Sequence, residues 1–137
     1  MSVKALIAVL LVLSLPLLAT AEEEEKAAAV PQVAYLNLIP ALVGNFGSGP
    51  KLKFYKADVS LRVTGPEAEA KVKHHEPLIR NQLVMLFSQQ TEESLNAPDA
   101  RETLRQEALK QVQQVLVGEE GQPLVEDLLF NNLILQR

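Results

Sequence analysis

The 137-residue sequence contains no cysteine and no tryptophan, and only two histidines. Without cysteine there can be no disulfide framework, thiolate metal site, cysteine nucleophile or lipidated N-terminal cysteine. Aromatic residues make up only 4%. Sugar-binding clefts and base-stacking platforms use aromatic faces, so both are disfavoured. Basic charge is also scarce, with 13 Lys and Arg against 17 Asp and Glu. An acidic chain of this kind argues against a nucleic-acid partner. The core must be built mostly from leucine and valine.

One long hydrophobic run is present, at the N-terminus. It extends from Ala5 to Leu18 and is broken only by Ser14 and Pro16. As a helix it would reach about 21 Å, short of the roughly 20 apolar residues that span a bilayer core. Ala19 and Ala21 place small residues where a signal peptidase reads, and Glu22 opens a run of four glutamates. The pattern predicts a signal peptide over residues 1–21, cleaved between Ala21 and Glu22. A short retained anchor is the alternative. Either sends the rest of the chain across a membrane. Residues 22–32 read as an acidic, alanine-rich tether, and 33–137 as one domain.

Within the domain, the β-prone stretch Val33–Phe46 carries Pro40 at its middle. It predicts an edge strand or two short pieces. The segment "GNFGSGPK" predicts a turn or loop. Lys53–Thr64 alternates strictly. Tyr55, Ala57, Val59, Leu61 and Val63 face one way, and Lys56, Asp58, Ser60, Arg62 and Thr64 the other. That predicts a strand with one buried and one wet face. Glu67–Gln90 has helical spacing, with Pro77 marking a kink or a junction of two helices. A polar break with a single turn at "TEESL" follows. Asp99 and Glu102 suggest a capping box opening the next helix, and Gly118 suggests its end. Leu124–Gln136 reads as a final strand. Its poor alternation predicts cover on both faces. The whole is an α+β fold: a small antiparallel or mixed sheet with two or three helices on one face.

Candidate chemistry is thin. His74, His75 and Glu76 are adjacent, so on a helix they diverge by about 100° and do not converge on a metal. They predict a solvated helix face. Ser60, Ser88 and Ser94 lack a nucleophile-elbow context. The glycine-rich loop lacks the Lys-Ser/Thr of a phosphate loop. No acid–base pair stands out. The reading is non-enzymatic, with no cofactor and no metal. Partner contacts are expected from the polar face of Lys53–Thr64, from the Asn45–Lys51 loop or from the tether. Lys56, Asp58 and Arg62 either pair across a protomer interface or form a solvated face.

The second half of the chain carries an ordered set of residues: Pro77, Ile79, Arg80, Asn81, Leu86, Ser88, Thr91 and Leu95, then Leu104 and Arg105, then Val125, Asp127, Phe130 and Gln136. With Tyr35, Leu38, Pro40, Val43 and Asn45 upstream, this set resembles the flagellar basal-body-associated FliL family. The resemblance covers roughly residues 33 to 137. It implies a stomatin-like periplasmic domain, near the inner membrane and beside the flagellar basal body. It further implies association with stator proteins, support of torque, swarming and rotational control in chemotaxis, and self-association into a ring or arc. The short apolar run departs from the full transmembrane helix usual in the family. This chain therefore reads as a signal-peptide-bearing paralogue that joins an anchored one, or as a soluble periplasmic module of another envelope complex.

Overall fold

The computed structural model describes residues 30–136. The expected cleavage site at Ala19, Ala21 and Glu22 lies outside them, as does most of the tether. Chain order is β1 (Val33–Asn37), β2 (Leu42–Phe46), β3 (Lys53–Thr64), α1 (Pro66–His74), α2 (Glu76–Ser88), α3 (Glu92–Asn96), α4 (Ala100–Glu120) and β4 (Val125–Gln136). The architecture is α+β, as the element pattern implied.

Strand β3 is the axis. Its alternation holds, and Tyr55, Ala57, Val59, Leu61 and Val63 are all buried. β4 runs antiparallel along one side of it, from Phe54↔Gln136 to Val63↔Val125. β1 and β2 share the other side end to end, β1 on residues 60–64 and β2 on residues 53–57. Pro40 explains the split. It has no N–H for a ladder, and its peptide with Ile39 is cis.

The helices cover one face only. Ile79, Leu83, Leu86 and Phe87 from α2, with Leu104, Ala108, Val112 and Leu116 from α4, close the core over β3. Pro77 does mark a junction. His75 ends α1 and starts α2, so the two helices abut rather than kink.

Three local expectations are corrected. The capping box forms at Thr91 and Ser94, which bond reciprocally at the start of α3. Asp99 caps nothing with its side chain, and the Glu102 carboxylate is held by Arg105. Helix α4 runs past Gly118 and stops at Gly121, whose φ of 76° is left-handed. β4 alternates poorly because two bulges, between the pairs of Asp58 and Val59 and of Arg62 and Val63, shift its register. Cover on both faces is not the cause.

Gly44 sits directly across from Tyr55. A Cβ there would lie 2.6 Å from the Tyr55 hydroxyl and 2.9 Å from its ring carbons. The ring cannot swing away freely, because it meets Phe87 edge-on at 5.4 Å. Gly44→Ala is therefore expected to destabilise the domain by roughly 1–3 kcal/mol, an overpacking cost. Gly118→Ala, with open space around it, is expected to be neutral or stabilising by up to about 1 kcal/mol. Urea unfolding of the two variants checks the contrast.

Candidate functional site

The ordered, FliL-like residues of the second half do not gather in a cleft. Most hold the layers together. Arg80 donates from Nη1 to the Pro40 carbonyl at 2.7 Å, fixing α2 to the bend between β1 and β2. Ile79 beside it is fully buried. Leu104 is buried, and Phe130 packs on Phe87 with ring centroids 5.9 Å apart. Pro77 fills the first turn of α2. Asn81 is exposed on α2, and Gln136 pairs with Phe54 at the end of β4. Ser88 is exposed, near the Tyr55 phenol. Burial raises the pKa of that phenol, and the Ser88 hydroxyl lowers it in part without completing a hydrogen bond of good geometry.

Arg105 is the hub of the opposite edge. It donates from Nη1 to Asp127 Oδ1 at 2.6 Å and to the Leu128 carbonyl at 3.3 Å, and from Nε to Glu102 at 2.8 Å. The bulge in β4 makes this possible. It sets Glu126 and Asp127 together opposite Arg62, so Asp127 meets Arg105 while Glu126 meets Arg62 at 3.3 Å.

Hydrogen bonding from Arg105 holds the Glu102 carboxyl down to about 2, with a second bond from Gln106 in support and desolvation in opposition. The Arg105 guanidinium is correspondingly raised. A depressed carboxyl contributes above its ordinary value and loses that contribution as pH falls from 4.5 through about 2. The carboxyl carbon of Glu102 should therefore titrate near 2 by NMR, and Arg105→Ala should return it towards 4.5.

His75 corrects the expectation of a solvated pair. Its side chain is only 11% exposed and contacts Glu120 at 2.8 Å, joining the α1–α2 junction to the end of α4. That hydrogen bond, with the charge of Lys71, lowers the Glu120 pKa. His74 stays exposed. Among the described residues, no three His, Cys, Asp or Glu side chains are placed to hold a metal.

Among the described residues the face of the sheet away from the helices is uncovered, and it is not simply polar. Ser60 is buried at its centre. Its hydroxyl donates to Asn37 Oδ1 and accepts from Asn131 Nδ2 at 2.6 Å. Lys56, Asp58 and Arg62 lie along β3 around this network. Lys56 is exposed, while Asp58 and Arg62 are half-buried. Val33, Tyr35, Val43, Phe54 and Ile134 add exposed apolar area on the same side. The wet face expected from sequence is thus a polar stripe bordered by hydrophobic side chains. The signal for it was in the strands flanking β3, whose facing residues could not be known without the register.

Residues 35–136 match the profile of the flagellar basal body-associated protein FliL family. The chain belongs to the FliL family. Flagellar protein FliL of Aquifex aeolicus (strain VF5) is 29% identical over 109 residues. The match takes in 79% of this chain and 65% of that relative's length. The FliL profile covers every described strand and helix except the first two residues of β1. Arg80 with Pro40, and Arg105 with Asp127, are pairs within the recurring FliL-like residue set that meet in space. The family's description places its members with the flagellar basal body.

Proposed function

We propose that this FliL-family chain is a non-enzymatic accessory domain of the flagellar motor. In this reading the domain is stomatin-like, stands on the periplasmic side of the inner membrane, and self-associates into a ring or arc with an anchored paralogue. It keeps stator units in place and so supports torque, swarming and rotational control. Lys56, Asp58 and Arg62 belong to the contact face.

The observation that supports the reading most is where the FliL-like residues fall. They lock helices to sheet and form no cleft that gathers catalytic groups. The sheet face opposite stays open, amphipathic and carried on a rigid central strand. A contact surface has this composition: large apolar side chains beside polar and charged groups.

Deletion of the gene in the native host tests the reading. Swarm expansion and the number of stator units retained per motor should both fall, and the wild-type gene should restore both. Normal swarming and normal stator retention in the deletion strain would contradict it and favour service to another envelope complex.

A further inference from the structure

The two edges of the sheet are treated differently. β4 is a twelve-residue edge, long enough to recruit a foreign strand. Helix α4 blocks it. Gln113, Arg105 and Arg101, on one stripe of the helix, donate to the carbonyls of Val125, Leu128 and Leu133. By register these three carbonyls point away from β3.

Among the described residues, the edge at β1 has no such cover. Gln32 O accepts from Gly65 N, and Leu38 N donates to Val59 O. The even-numbered residues between them therefore bond to β3. The N–H and C=O groups of Val33, Tyr35 and Asn37 point outward. No backbone or side-chain hydrogen bond covers these groups among the described residues.

A cleft of about 320 Å³ lies beside this edge, between β1 and the α1–α2 junction. Leu38, Ile39, Val72 and Ile79 give it apolar walls. Three charges line it, Glu69, Lys73 and Glu76. Glu69 and Lys73 neutralise each other at 3.1 Å. Glu76 is left without an ion-pair partner among the described residues, so the cleft has a net negative charge.

We propose that the β1 edge and this cleft bind an extended peptide segment by strand addition, and that the segment alternates apolar residues with lysine or arginine. The outward backbone groups supply the ladder. Alternate side chains enter the cleft, as in other edge-strand recognition modes. Glu76 selects the basic residue. Charge argues against the chain's own glutamate run at residues 22–25 as the occupant. The proposal goes beyond the motor reading and does not depend on it, because it concerns the class of segment and not the complex that supplies it.

The test uses the full chain and two synthetic peptides of about nine residues. Both alternate valine and threonine, with two lysines in one and two glutamates in the other, and fluorescence anisotropy follows binding. The lysine peptide should bind about tenfold or more tighter than the glutamate peptide, a difference of about 1.4 kcal/mol. Glu76→Lys should reverse the order. Tyr35→Pro removes an outward N–H that β3 does not use, so the fold should persist by circular dichroism while lysine-peptide binding drops at least about tenfold. No binding of either peptide would overturn the proposal. So would equal binding by both, or lysine-peptide binding that survives Tyr35→Pro. A β1 edge that pairs only with a second copy of this chain, without displacement by the peptide, would overturn it too.

Discussion

Replacing Ile79 with alanine is expected to destabilise the domain by about 2–5 kcal/mol. The side chain is fully buried. Its backbone also carries the start of α2, where Arg80 reaches the Pro40 carbonyl. A cavity at this point loosens the helix from the bend between β1 and β2. Asn81→Ala, two positions along the same helix and exposed, is expected to stay within about 0.5 kcal/mol of the wild type. For a domain of this size the first change lowers Tm by roughly 10 °C or more. Thermal unfolding of the two variants separates a FliL-family residue that builds the core from one that does not.

The second large effect is expected at Arg105. Arg105→Ala removes the partner of Asp127 at the β4 bulge and one cover of the β4 edge. With side chains 25% and 27% exposed, this pair is neither fully buried nor freely solvated. The expected cost is about 1–3 kcal/mol, between the values for surface and buried pairs. Arg105→Lys should recover only part of it. A single ammonium cannot serve Glu102, Asp127 and the Leu128 carbonyl at once, whereas the guanidinium fork does. A double-mutant cycle with Asp127→Asn should give a coupling of about 0.5–3 kcal/mol. Additivity within experimental error would show that the pair is incidental.

Much of the fold is legible in the sequence. β3 was plain because its alternation is unbroken and its ends carry glycine and proline. That the first strand is split or confined to an edge at Pro40, and that the helical stretch kinks or divides at Pro77, was legible for a related reason: proline acts locally. The errors arose where two residues compete for one role. Glu102 looked like the second half of a capping box, but Arg105 one turn later binds its carboxylate more strongly than a backbone N–H would. Gly118 looked able to end α4, but the helix runs on to Gly121, which adopts the left-handed turn. The β4 bulges left no local signature, since the extra residue shows only against a paired strand.

The candidate surface was half legible. Lys56, Asp58 and Arg62 were placed on one face by period two alone. That Ser60 is buried among them, and that Val43 and Ile134 flank them, depends on strand register. His75 was misread for the same reason. Its partner Glu120 is far along the chain, and both looked like surface residues.

In the proposed function, FliL-family residues build the domain and the open sheet face makes its contacts. Swarm expansion by a strain whose only copy carries Lys56→Glu with Asp58→Lys tests this most directly. Neither side chain has an ion-pair partner within the described residues, so Tm should change little. Swarming should fall to near that of the deletion strain. Wild-type swarming by this variant, with the protein present at wild-type level, would contradict the account.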